Sequence, residues 1–218
     1  MQIPFTAEQF FGVIREYNAV VWPAQAVLLA LAAAALVLVA RPQHRSGVLV
    51  SCILAFLWAW MGFVYHLAFF TSINPLAYLF GAASLLGAGL FLWEGVVRRR
   101  LEFRLTWGVR QFLGLGLVVF ALLVYPWWST RAGHAYPQLP TFGLPCPTTL
   151  FTLGLLALLV APYPRSPLVM PVAWCFVGAQ AAVLFEVTAD LGLVAAAVLG
   201  VVLLARARAP APTTAATS

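Results

Sequence analysis

No lysine occurs in the chain; all 12 basic residues are arginine. A retinal or pyridoxal Schiff base needs a lysine amine, and a phosphate-binding P-loop needs a lysine of its own. None of these chemistries can operate here. Charge of either sign is scarce, at 8% of residues, against about 25% in a soluble domain. Cysteine is limited to Cys52, Cys146 and Cys175, with no C-x-x-C. The three fall at different depths in the topology below, whereas a disulfide needs Cα atoms within about 7 Å, so no bridge is expected. The N-terminal segment carries acids and lacks the apolar run of a cleavable signal peptide, so none is expected either.

Apolar side chains are what the sequence has in abundance: 63% of the 218 residues are hydrophobic and mean hydropathy is +0.97. That composition specifies an all-α, polytopic membrane protein whose partner is the lipid bilayer. The net charge of +6 then reads as membrane orientation rather than affinity for nucleic acid.

Residues 3–17 read as a short amphipathic helix. Thr6 is the N-cap, Gln9 completes a capping box, and Phe5 and Phe10 stand at the staple positions. Ala7, Phe10, Phe11, Ile14 and Tyr17 share one face, as in a helix lying along a membrane surface. Residues 1–18 thus form an interfacial unit, 19–205 a single transmembrane helical domain, and 206–218, rich in Ala, Pro and Thr, a disordered cytoplasmic tail.

Seven apolar segments follow the first helix, at 19–40, 47–70, 75–97, 109–129, 147–163, 167–186 and 189–205, each near the roughly 20 residues needed to span. The fifth is the shortest, and the last two are separated only by Val187 and Thr188. Arginine decides the orientation. Arg41, Arg45, Arg98, Arg99, Arg100, Arg104, Arg165, Arg206 and Arg208 fall in one alternate set of loops, and Arg15 and Arg131 in the other. The positive-inside rule gives seven spans, N-terminus outside and C-terminus inside. Six spans with a broken sixth segment is the other count. Gly81, Ser84, Gly87, Gly89, Gly114 and Gly116 are expected at close helix contacts.

This topology sorts the polar residues by depth. Tyr17, Asn18, Gln25, Tyr65, His66, Asn74, His134, Tyr136, Cys146, Thr148, Thr149, Glu186 and Asp190 all fall toward the outer side. On the inner side Glu94 precedes Arg98 by one helical turn and is expected to pair with it, while His44 is a solvated loop residue. Polar groups within a membrane are costly and tend to mark function, so the asymmetry points to a polar pocket facing outward. Gln180, deeper in the sixth segment, is expected to bond another helix. Bis-histidine haem is excluded, since only His66 is intramembrane.

The least generic stretch is Pro140 to Thr149, where two prolines bracket Cys146. Pro147 suits the first position of a helix, making Cys146 the N-cap, with its sulfur near free N–H groups. Such a thiol is a nucleophile or a soft-metal ligand; the other reading is a rigid helix start with cysteine as a small apolar filler. Cys146, His66 and His134 are the candidate metal ligands, with a transition-metal ion as the candidate cofactor. Asp190, Glu186, Thr148, Thr149, Tyr65, Asn74 and Gln25 complete the candidate binding set.

Pro4-Phe5-Thr6, Glu8-Gln9-Phe10, Tyr17-Asn18, Val21-Trp22-Pro23-Ala24-Gln25, Trp60-Met61-Gly62, Tyr65-His66 and Ile73-Asn74-Pro75, together with Pro140 to Thr149, resemble a bacterial family of multi-pass membrane proteins built on a domain of unknown function. The resemblance implies a bacterial cytoplasmic membrane and no particular activity. The function expected from the residues is binding or transport of a small solute or metal ion at an extracytoplasmic pocket. The alternatives are a membrane-embedded enzyme using Cys146 or a metal-bound water, for which no Ser-His-Asp order or H-E-x-x-H stands in the chain, and an accessory subunit docking through the 130–146 loop.

Overall fold

The computed structural model describes residues 4–208. Residues 1–3 of the expected interfacial unit and 209–218 of the expected tail lie outside the described residues. Among the described residues eight helical elements follow one another: α1 (Ala7–Val21), α2 (Ala24–Ala40), α3 (Ser46–Ser72), α4 (Ala77–Val97), α5 (Val109–Arg131), α6 (Pro145–Leu156), α7 (Ser166–Leu184) and α8 (Thr188–Arg206). Among the described residues no β-strand forms.

Local chemistry explains where α1 begins and ends. The Thr6 hydroxyl accepts from the Gln9 amide at 3.2 Å, and the Gln9 side chain accepts from the Thr6 amide at 2.8 Å, a closed capping box. The Phe5 and Phe10 rings stack at 6.3 Å. Trp22-Pro23 ends the helix, since proline cannot donate to the preceding turn, and α2 departs at 85° to α1.

Among the described residues five helices, α3, α4, α5, α7 and α8, are long and apolar enough to cross a membrane, and a sixth span arises if the bent pair α1–α2 is taken as one. The fifth apolar segment differs from expectation. Its helix, α6, ends at Leu156, and residues 157–163 continue as irregular chain. Pro162 and Pro164 deny that stretch the backbone donors a helix needs. Its polar backbone is met by the chain beside it: the Val160 amide donates to Glu102 O at 2.8 Å and the Arg104 amide to Leu158 O at 3.0 Å. Non-helical backbone at such a place is tolerated only where protein encloses it, and α6 is enclosed, with every residue buried except Cys146.

Around α6 the packing is direct. It touches α3, α5, α7 and α8, while α3 pairs with α2 and α4, and α7 with α4 and α8. Small residues set the close approaches. A Cβ on Gly114 would lie 2.7 Å from the Gly154 carbonyl oxygen, and one on Gly81 2.8 Å from the Leu67 side chain. Gly89 and Gly116, expected at contacts too, face open space with nothing within 4 Å; each is displaced from the contacting stripe of its helix.

Three helices widen into π-turns, at Met61–Phe69 in α3, Leu92–Val97 in α4 and Phe120–Val124 in α5. One of them overturns the expected Glu94–Arg98 pair. The Arg98 amide bonds back to Trp93 O, five residues away, at 2.8 Å, and the chain reverses through Arg99 at φ 51°. Spacing by one α-turn no longer makes neighbours there. Arg98 lies over the Trp93 ring at 5.1 Å, and Glu94 instead faces Arg100 at 3.9 Å and accepts from the Ser166 hydroxyl at 3.0 Å.

The start of the expected tail is ordered. Arg206 ends α8, and the buried Ala207 accepts at its carbonyl from Arg165 Nε at 3.3 Å.

Candidate functional site

Two cavities lie at opposite ends of α3 and α4. One takes in Ser46, at the start of α3, and Gly95, near the end of α4. The other takes in Tyr65, His66 and Phe70, near the end of α3, and Phe80, near the start of α4. From Ser46 to His66 the helix rises roughly 30 Å at 1.5 Å per residue. The second cavity, of about 460 Å³, collects much of the polar chemistry that the sequence places at one depth.

His66, Tyr65, Asn74, Cys146 and Asp190 all line it. Four separate pieces of chain bring them there: the π-turn of α3, the 73–76 turn, the start of α6 and the first turn of α8. The π-turn carries Tyr65 and His66 inward, and both are buried; such wide turns recur at functional sites. The start of α6 lies two residues earlier than Pro147 alone suggests. Leu144 is the N-cap, and Pro145 occupies the first turn with Pro147, so Cys146 belongs to the helix rather than capping it. Two of the amide donors that a helix start leaves free are absent here, because both residues are proline.

The polar end of the cavity is built around Asp190 and His66. The Tyr125 hydroxyl donates to Asp190 Oδ1 at 2.6 Å, fully buried. The Cys146 thiol faces the same carboxylate. Gly178 leaves space beside the sulfur: a Cβ there would lie 3.4 Å from Cys146 Sγ and 3.2 Å from Trp174 Nε1. Across from Trp174 stands His66, wholly buried, with ring centroids 5.0 Å apart. Phe80, Phe70 and Tyr65 close the rest of the imidazole's surroundings at 5.8, 6.2 and 5.2 Å. Neither nitrogen of His66 has a hydrogen-bond partner, and the Trp174 N–H has no oxygen or nitrogen partner and meets only the Cys146 sulfur.

The mouth and walls are apolar rather than polar. Phe5 and Phe10 from the N-terminal segment stack on Phe185 at 5.3 and 4.6 Å, and Phe70 meets Phe5 edge-on at 5.5 Å. Ile14, Leu76, Val177 and Leu184 extend this surface. The cavity is therefore amphipathic, with aromatic walls over a floor that bears a thiol, a carboxylate, an imidazole and an indole N–H.

Other candidate residues lie elsewhere. Gln25 belongs to a separate buried seam: it donates to Asn18 Oδ1 at 2.6 Å, Thr141 donates to the same oxygen at 2.7 Å, and Asn18 Nδ2 donates to the Pro137 and Leu139 carbonyls at 2.7 Å each. That seam ties α1 and α2 to the 137–141 loop. Thr148 accepts from the Gly143 amide at 3.1 Å, a turn-stabilising bond, and Thr149 is buried within α6 without a partner. Glu186 is exposed, at φ 58°, where the chain reverses so that Phe185 and Val187 both turn inward. Gln180 lines the cavity but donates to Phe176 O of its own helix at 3.1 Å rather than to another.

His134 stacks on Phe11 at 4.2 Å and lines no part of the cavity. The expected metal trio of Cys146, His66 and His134 is thus not assembled. Among the described residues no group of three or more His, Cys, Asp and Glu side chains converges as metal ligands would.

Sequence reasoning passed over Tyr125 and Trp174. Each had a readable signal, since a buried phenol or indole in an apolar run needs a polar partner. The phenylalanine mouth carried none, because phenylalanine in a membrane chain is ordinary.

Fold and composition define a multi-pass helical membrane protein with a buried amphipathic cavity. Within that class, the sequence matches the family of unknown function DUF6064 over residues 7–213, and the chain belongs to it. No curated protein and no solved structure matches the chain.

Proposed function

We propose that this protein is a seven-span membrane protein, N-terminus outside and C-terminus in the cytoplasm, that binds a small amphiphilic solute in the extracytoplasmic-facing cavity. The observation that carries the reading is the orphaned buried imidazole of His66, beside a Trp174 N–H whose neighbour within the protein is the Cys146 sulfur, at the polar floor of an aromatic-walled space. A buried polar atom left unpaired costs about 1–3 kcal/mol, and a ligand offering an acceptor removes that cost. The volume of about 460 Å³ falls within the roughly 300–1,000 Å³ of small-molecule sites. The ligand has a flat or aliphatic body for the phenylalanine walls and a carbonyl or hydroxyl head for the Trp174 N–H and the imidazole. The 85° bend between α1 and α2 supports α1 as an interfacial helix when α2 crosses the bilayer, which puts Phe5 and Phe10 at the boundary such a molecule crosses.

The Cys146–Asp190–Tyr125 grouping favours a second reading, an enzyme with a cysteine nucleophile. One experiment separates the two. Full-length protein is purified in mild detergent, and its retained small molecules are extracted and identified by mass spectrometry. The binding reading expects a near-equimolar amphiphile, lost in His66→Phe/Trp174→Phe and kept in Cys146→Ser. Retention of nothing by the wild type, or equal retention by the double variant, rejects it. A covalent adduct on Cys146 selects the enzyme. A stoichiometric protein partner with no small molecule selects the accessory role.

A further inference from the structure

The cavity at the arginine-rich end of the bundle, of about 650 Å³, shares no lining residue with the one that holds His66. Its rim holds Arg45, Arg99, Arg104 and His44, and its floor holds Val48, Leu101, Phe103 and Val160. Arg41, Arg206 and Arg208 lie off the cavity, and the other seven arginines of this end divide into two groups. Arg98 lies over Trp93, Arg100 faces Glu94, Arg110 donates to Leu159 O at 2.6 Å and lies over Tyr163, and Arg165 donates to Ala207 O. Each of these is engaged by the protein itself. Among the described residues, Arg45, Arg99 and Arg104 donate no side-chain hydrogen bond and form no ion pair, and all three border the cavity.

Arg98, Arg99 and Arg100 are consecutive, yet they have three different fates. The reversal at Arg99, φ 51°, separates them, sending the outer two to Trp93 and Glu94 and leaving the middle one at the cavity. One carboxylate, Glu102, also lies on the rim, and it neutralises none of the three in this structure. Three guanidinium groups against one carboxylate leave a formal excess of two positive charges.

We infer that this cavity binds a phosphate-bearing anion. Guanidinium forks match phosphate oxygens in pairs. Basic pockets between membrane helices on the cytoplasmic side take anionic headgroups. The space is also far larger than a single small ion requires, and its apolar floor suits the glycerol and upper acyl region of a lipid. Orientation alone would account for arginine in these loops, Arg41 outside the hollow included, but not for three unengaged arginines gathered around one hollow while Arg98, Arg100, Arg110 and Arg165 are individually engaged.

Two sources supply this chemistry, an acidic phospholipid and a soluble phosphate. Full-length protein in detergent is titrated with phosphatidylglycerol, phosphatidylcholine and inorganic phosphate, and bound species are counted by native mass spectrometry. The cavity variant is Arg45→Gln/Arg104→Gln. The control is Arg41→Gln/Arg98→Gln, which removes the same charge from the same loops outside the cavity. The expected result is preferential retention of phosphatidylglycerol, weakened about tenfold or more in the cavity variant and nearly unchanged in the control. Binding of inorganic phosphate with the same variant pattern supports the site and assigns it a soluble source. Equal losses in both variants, or no phosphate-bearing probe retained above phosphatidylcholine, overturns the inference. All four altered arginines are exposed, Arg45 and Arg104 at the rim and Arg41 and Arg98 away from it, and an unchanged unfolding temperature verifies that the variants remain folded.

Discussion

Tyr125 and Asp190 are 65 residues apart in the chain and 2.6 Å apart in space. At the residue scale this bond is the structure's clearest example of a polar group brought into an apolar interior with its partner. Replacing Tyr125 by Phe removes the donor and leaves the carboxylate buried. The expected loss is about 1–3 kcal/mol of stability, read as a lower unfolding temperature of purified protein in detergent. Asp190→Asn keeps an acceptor for the phenol and is expected to cost less. Equal stability of Tyr125→Phe and wild type would show that the bond contributes nothing to folding. The contrast with His66 is the functional argument in small: Asp190 has its partner within the chain, and the imidazole does not.

Among the elements, α6 is the one around which the others are arranged, and glycine sets how closely they approach it. Gly114 of α5 stands against the Gly154 backbone of α6, whereas Gly116, two residues on, faces open space. Gly114→Leu is therefore expected to separate α5 from α6 and lower the unfolding temperature strongly, as overpacking of a close contact does, at about 1–3 kcal/mol or more. Gly116→Leu is expected to be neutral or mildly stabilising, since leucine has the higher helix propensity. Equivalent effects of the two substitutions would contradict the packing of α5 on α6. The paired test isolates position from chemistry, because the same residue change is made in the same helix.

For the whole molecule, the decisive question is how many times the chain crosses the bilayer. Five or six helices qualify by length and apolarity; the seven-span reading adds α2 as a full crossing and the enclosed α6 with the chain after it. Seven spans put the two termini on opposite sides and six put them together. Reporter fusions settle this: a phosphatase active only outside is expected to work at the N-terminus, and a fluorescent protein that folds only inside at the C-terminus. Both termini reporting the same side would reject seven spans and, with them, the outward-facing assignment of the His66 cavity.

Much of this was legible in the chain itself. The helical membrane class follows from 63% hydrophobic residues and 8% charge, because composition alone decides which solvent a chain can fold in. The capping box of α1 was legible because Thr6 and Gln9 interact across a single turn. The same holds for the depth at which His66, Cys146 and Asp190 lie, since depth is a linear count along a helix. What depth leaves open is direction around each helix axis and the neighbour found there. Only the tertiary structure decided that Cys146, His66 and Asp190 share a cavity while His134 stacks on Phe11 and Gln25 joins a separate seam. It also decided that Arg98 leaves Glu94 for Trp93, because a π-turn shifts the angular register that an ideal helix would keep. Rotation about helix axes is set by packing between segments distant in sequence, and no local pattern encodes it.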